Sequence, residues 1–347
     1  MKHRFWIGIA LLAGAAAVLA IAPAWLNPPA VMRVTGYIGG SKANLLNDPQ
    51  VQAVLREKYR LDVTYATLGG RELLSAIEEP YDFLWPGTEL SVEDYKLSHG
   101  GKARSDSLLL SPVVLYSWKP IAEALNQAGL IEKKSDGVYY ADMSKFVPAL
   151  LAGRLPWPRG QGDGHALAVF TSDPTQSNSG QVFAAMLAKT VQGQGERRFE
   201  AAFPAVRAYL DALGFKPVKT SDLFKQCVGK GMGACPVFVA YESLLPDFIA
   251  AFGVDCKDLE SFTVIYPVPT IWATHPLIAA TPRGEQLLVA LRDPEIQRLA
   301  VEKHGFRSVL GRAQPRGCIA AAASVSAMPL PTKAEMDRLN DDLDRQQ

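Results

Sequence analysis

The sequence lacks the motifs that announce catalysis. It has no G-x-S-x-G nucleophile elbow and no G-x-x-x-x-G-K-[ST] phosphate loop. Its nearest approach to the latter, "GKGMG" at Gly229 to Gly233, has neither the Ser or Thr nor the preceding strand. The five histidines do not cluster, the cysteines number four, and no C-x-x-C occurs, so a zinc site is not expected. Charge of one sign is missing too. Lys and Arg total 36 against 35 Asp and Glu, with no basic stripe interleaved with aromatics, which argues against a nucleic-acid partner. No long low-complexity stretch is present and 48% of residues are apolar, which excludes disorder away from the ends. What remains is a chain of 347 residues, long enough for one large or two ordinary domains, with no cofactor expected.

One apolar run is long. After the basic "MKHR", Phe5 to Ala22 carries no charge, and small residues at Ala22 and Ala24 fit an A-x-A-like cleavage site. The stretch from Phe5 to Leu26 also has the length to cross a bilayer uncut. Residues 1–31 therefore read as a signal peptide or an N-terminal membrane anchor, and both send the body of the chain out of the cytoplasm. Outside, disulfides are permitted. Cys227 and Cys235 flank the Gly-rich "VGKGMGA", which can fold back, so a bridge between them is expected. The pairing of Cys256 and Cys318 is left open.

The body alternates strand-like and helix-like segments. "VMRVTGYI", "LDVTYATL" and "YDFLWP" each end in Gly or a hydroxyl residue and lead into a helical pattern. Three such units before residue 100 predict an α/β fold with a parallel sheet. A long apolar strand, "SLLLSPVVLYSW", follows, then helices and the run "HALAVF". That run empties into "TSDPTQSNSG", residues 171–180, and a helix starts there. One capping residue would serve that helix. Ser177, Asn178 and Ser179 together with Gly180 exceed the need, and the free amides and dipole of a helix start favour an anion.

Other strand exits supply further candidates. Gly40 and Ser41, and Gly70 and Arg71, follow the first two strands, where a turn and a ligand site call for the same residues. Arg71 points either to solvent or, bidentate, to an oxyanion. Thr88 reads as a cap that also faces the strand ends. Tyr241 ends a buried strand and either packs or closes over a ligand. Tyr266 is a hinge packer or a cleft wall. Glu242 suits a first helical turn, but a carboxylate in the cleft would select an amine or a cation instead of an anion.

The order of these motifs resembles the type II periplasmic solute-binding proteins, the group that includes molybdate-, sulfate- and phosphate-binding proteins. The resemblance rests on the export segment, Gly40-Ser41, "GGR" at 69–71, the crossing strand "SPVVLYSW", "DPTQSNSG", "VFVAYESLL", "TVIYPVP" and "HGFR", and covers roughly residues 32–312. It implies two α/β lobes with a ligand cleft between them. Lobe 1 would hold residues 32–116 and 268–317, lobe 2 residues 117–267, and residues 318–347 would form a tail ending in a helix. It also implies a binding protein and not an enzyme, one that captures a small anionic or strongly polar ligand and hands it to an inner-membrane ABC-type importer. Gly40, Ser41, Gly70, Arg71, Thr88, Ser177, Asn178, Ser179, Gly180, Tyr241 and Tyr266 would line the cleft. The alternatives are a membrane-anchored sensor or assembly component and, third, an exported hydrolase built on Asp173 and Ser179, for which no base is evident.

Overall fold

The computed structural model describes residues 30–75, 80–101, 103–162, 165–193, 198–309 and 318–345. The expected signal or anchor lies, up to residue 29, outside the described residues. Among those described, no helix is long and apolar enough to cross a membrane.

Among the described residues, thirteen strands form the sheets. They are β1 Met32–Gly39, β2 Leu61–Leu68, β3 Phe83–Trp85, β4 Arg104–Ser107, β5 Leu109–Trp118, β6 Ile131–Lys133, β7 Tyr139–Asp142, β8 Val169–Phe170, β9 Val237–Tyr241, β10 Phe262–Val268, β11 Trp272–Ala273, β12 Pro276–Ala279 and β13 Arg307–Ser308. One sheet has the order β2-β1-β3-β12-β4, and the other runs β6-β7-β10-β5-β9-β8. Each carries its own apolar core. Val34, Ile38, Phe83, Leu277 and Phe306 belong to the first, and Val114, Tyr116, Phe183, Phe238 and Ile265 to the second. Two sheets with separate cores make two lobes.

The expectation of a parallel sheet holds only locally. β1 pairs in parallel with β2 and β3, whereas β12 runs antiparallel to both β3 and β4. The second sheet is mixed as well, with β5 antiparallel to β9 and β10. Chain path explains this. β12 belongs to the returning chain, so it enters the first sheet opposite to the strands that built it.

β5 joins the lobes. Leu109 and Leu110 pair with β13, while Val113 to Ser117 pair with β9 in the second sheet. Leu109 also packs in the first core, so the strand passes from one core to the other between Leu109 and Val113. The return follows β10.

Three helices matter for the site: α1 Asn178–Gln192, α2 Thr220–Lys230 and α3 Lys333–Asp344. α1 buries "VFAAMLA" on the second core and stops at Gly193, which has φ 63°. α3 begins in a capping box, with Thr332 and Glu335 satisfying each other's backbone, and buries Met336 and Leu339 on the second lobe. Two disulfides brace that lobe. Cys227 bonds Cys235, and Cys256 bonds Cys318, both with Cα atoms 5.2 Å apart. The second fastens the start of the tail.

Candidate functional site

A small cavity lies where loops of the two lobes meet. From the first lobe come Gly39, Gly40, Ser41 and Lys42 after β1, Leu68, Gly69 and Gly70 after β2, and Gly87 after β3. From the second come Ser177 and Asn178 at the start of α1, Val218 to Ser221 at the start of α2, and Tyr241 at the end of β9. The carboxyl ends of four strands therefore converge here, as expected for ligand sites in open α/β sheets. The lobes are closely apposed around it. Arg71 N–H donates to Gln176 O at 3.2 Å, and Lys219 Nζ to Thr67 Oγ1 at 3.1 Å. A Cβ on Gly70 would lie 2.1 Å from the Asn178 side chain, so glycine permits the approach. The cavity that the lobes enclose has a volume of about 30 Å³.

Two long helices aim their N-termini at this space without a side-chain cap. Ser177 and Lys219 occupy the N-cap positions of α1 and α2, and neither side chain caps its helix. The simple capping reading of Ser177 is therefore replaced. Its Oγ joins a buried group of hydroxyls instead, donated to by Ser172 at 2.9 Å and lying 3.2 Å from both Ser179 and Thr220. Ser179 Oγ contacts Ser172 and Thr220 as well. Each hydroxyl has one proton to give, so this cluster is largely self-satisfied and fixes where Ser177 points. The uncapped starts leave amide N–H groups and the positive ends of two dipoles facing the cavity.

The side chain that sequence reading missed is Lys42. It is 1% exposed, lines the cavity and makes one hydrogen bond, to Pro86 O at 3.3 Å. No carboxylate pairs with it among the described residues. Burial pushes its pKa down from 10.5 to about 7. Near it lies His275, fully buried, with neither ring nitrogen hydrogen-bonded. Burial, and then the Lys42 charge, lower the imidazole pKa well below its usual range. The Tyr241 hydroxyl also has no hydrogen-bond partner, and burial raises its pKa. Nothing in the sequence marks Lys42 as buried. The sequence reading also missed the start of α2, although "KTSDLF" carries the hydroxyl-then-acid signature of a helix N-terminus that could have found it.

Among the expected site residues, Gly40, Ser41, Gly70, Ser177, Asn178 and Tyr241 come together at the cavity. The others lie elsewhere. Ser179 is buried behind Ser177 in the hydroxyl cluster, and Gly180 packs against the backbone of Ser172 to Pro174. Thr88 is 1% exposed, and its hydroxyl has no partner. Arg71 is turned outward onto Asp344, with bonds of 2.8 and 2.7 Å. Tyr266 donates to Glu242, which Arg307 also grips at 2.7 Å through both Nε and Nη2. The Arg307 charge balances Glu242 away from the cavity, so this carboxylate does not set the cavity's polarity. Arg307 is the last residue of the "HGFR" stretch.

Solved structures of other proteins share this architecture. Iron-bound HitA from Pseudomonas aeruginosa superposes with a TM-score of 0.57 at 14% identity, over 90% of this chain and 99% of that one. The sulfate-binding protein SubI from Mycobacterium tuberculosis H37Rv gives 0.53 at 14% identity, over 88% and 96%. The fold is that of a two-lobed, type II periplasmic solute-binding protein. At this identity the likeness concerns fold alone. No protein-family model matches the chain, and neither does any curated protein sequence.

Proposed function

We propose that this chain is an exported solute-binding protein that encloses a small anionic or strongly polar ligand between its lobes and holds it without transforming it. One observation carries the reading: Lys42 is buried, has no acidic partner among the described residues, and lines the cavity together with the uncapped starts of α1 and α2. A buried ammonium facing two helix N-termini is unfavourable unless an anion completes it. Arg307 removes the competing influence of Glu242. The two-lobed fold supports capture by closure about β5 and the return after β10. The apolar N-terminal run supports export, and the same reading makes an inner-membrane ABC-type importer the recipient of the ligand. Thermal melting against inorganic anions, carboxylates, amino acids, polyamines and metal ions tests it. A true ligand at a hundredfold excess over its Kd stabilises by about 2.7 kcal/mol. Stabilisation by polyamines or metal ions with none by anions or strongly polar neutral solutes refutes the reading.

A further inference from the structure

The "HGFR" stretch begins with a histidine that the cavity does not use. His304 follows the helix Pro294–Glu302, whose Ile296, Leu299 and Ala300 pack in the first core. Its side chain is buried between two buried carboxylates. Nε2 lies 3.0 Å from Asp48 Oδ2 in the first lobe, and Nδ1 lies 2.6 Å from Asp247 Oδ1. Asp247 belongs to the helix Leu244–Phe252, whose Leu244 and Leu245 pack in the second core. The ring therefore bridges the lobes. Gly305 permits the approach, because it has φ 69° and a Cβ there would meet Pro246 at 2.5 Å. The bridge also stands beside the crossing strand. Just ahead of that helix, Glu242 N–H donates to Pro112 O at 3.0 Å and Ser243 N–H to Ser111 Oγ at 3.1 Å.

A charged carboxylate only accepts hydrogen bonds, so a ring set between two of them needs a proton on both nitrogens. The protonated ring and Lys303, 2.6 Å from Asp48 Oδ2, then balance the two carboxylates. We infer that His304 is a proton-held clasp between the lobes, closed while its ring is an imidazolium and released when the ring loses a proton. The neutral ring has one hydrogen to give. One nitrogen then sets a lone pair against a carboxylate oxygen, and the buried group is left with an unbalanced negative charge. Asp48 keeps Lys303 and the Gln50 N–H, whereas Asp247 keeps the neutral Asn44 amide at 2.6 Å. Lys219, Asp222 and Lys225 line the space next to Asn44 and Asp247, but Lys219 is spent on Thr67 and Lys225 lies over the Phe252 ring. Histidine is the residue that exchanges a proton near neutral pH, so the lobes respond to the acidity around the chain. Slip of the clasp so near the crossing strand is magnified at the mouth of the cleft.

The clasp needs two lobes and no ligand, so its failure leaves solute capture untouched. The test uses the full chain without ligand, at high salt, which screens exposed pairs such as Arg71–Asp344 more than a buried one. Ring-nitrogen NMR of the histidines, with the His304 signals assigned from His304→Gln, should show both nitrogens of His304 protonated in the most acidic folded sample and one proton lost as pH is raised to 9. Small-angle scattering should show the radius of gyration growing over the same pH steps. Asp247→Asn removes the charge that the clasp needs on the second lobe and leaves Lys42, whose ammonium also titrates near neutral pH, in place. This variant should lose the step in radius. A step equal to that of wild type in Asp247→Asn overturns the clasp. So does a radius that stays constant while His304 loses its proton, or a ring that keeps the same protons at every pH. The wild-type spectra and scattering decide the matter if Asp247→Asn does not fold.

Discussion

Arg71 donates two hydrogen bonds to Asp344, and this pair ties the first lobe to a helix otherwise packed on the second. A second tie links Lys333 to Asp94 at 2.7 Å. On its own lobe, α3 is held by Lys189–Glu335 at 2.8 Å and Arg207–Asp342 at 3.0 Å. The C-terminal helix thus straps the two lobes together beside the cleft.

Cutting the strap should therefore loosen the lobes with little loss of fold. Asp344→Ala with Asp94→Ala removes both ties. Partly exposed ion pairs are worth about 0.2–1 kcal/mol each, so the melting temperature should change little. Small-angle scattering of the free protein should show a larger radius of gyration at low salt, and wild type should approach it as salt screens the pairs. Identical curves for variant and wild type would remove the strap.

Ser177 and Ser179 should separate binding from stability. Only Ser177 reaches the cavity, so Ser177→Ala is expected to cost about 1 kcal/mol of binding, roughly fivefold, besides the stability that its bonds to Ser172, Ser179 and Thr220 supply. Ser179→Ala leaves Ser172 and Thr220 short of a buried partner, which costs about 1–3 kcal/mol of stability with affinity nearly unchanged. Calorimetric titration and denaturant melts of both variants check this. The reverse assignment of effects would mean that the hydroxyl cluster, and not its outer member, contacts the ligand.

The two disulfides should differ in worth. Cys256–Cys318 spans 62 residues and Cys227–Cys235 spans 8. By the loop-closure relation, the long bridge stabilises by about 4 kcal/mol and the short one by about 2.5. Double Ser variants of each pair, compared by urea unfolding, should rank in that order. A larger loss from the short bridge would show that native-state packing, not chain entropy, dominates.

The sequence exposed the architecture because period-two apolar runs alternate with helical ones and each early strand exits into Gly or a hydroxyl. Those exits located Gly40, Ser41, Gly70, Ser177 and Asn178 at one cavity, since strand ends of one face must converge. Long-range partners stayed hidden. Arg71 looks the same in sequence whether it faces a ligand or Asp344, which is 273 positions away. Lys42 is an ordinary loop lysine until the second lobe covers it. The antiparallel entry of β12 depends on where the chain crosses back, which local pattern does not encode.

Lys42 also makes the site respond to pH, with a sign that can be worked out. Burial holds the pKa of its ammonium at about 7 in the free protein. An anion binds the ammonium form. Below about pH 7 that form is already present. Above it the free site holds a neutral amine, and binding must recruit a proton, so affinity falls by up to about tenfold per pH unit. The surrounding groups do not reverse this. His275 stays neutral because burial and then the Lys42 charge lower its pKa, the Tyr241 hydroxyl stays protonated because burial raises its pKa, and Lys219 is occupied with Thr67. Stability of the free protein moves the other way. The unfolded chain binds the proton more tightly, so the penalty of a buried charge is full below about pH 7 and is relieved as pH rises toward 10.5. Sulfate keeps its double charge across this range and is the cleanest probe. Its Kd should rise between pH 7 and 9 while the melting temperature of the free protein rises relative to that of Lys42→Met. A sulfate Kd that is flat from pH 6 to 9, together with parallel melting curves for the two proteins, would remove Lys42 from the site.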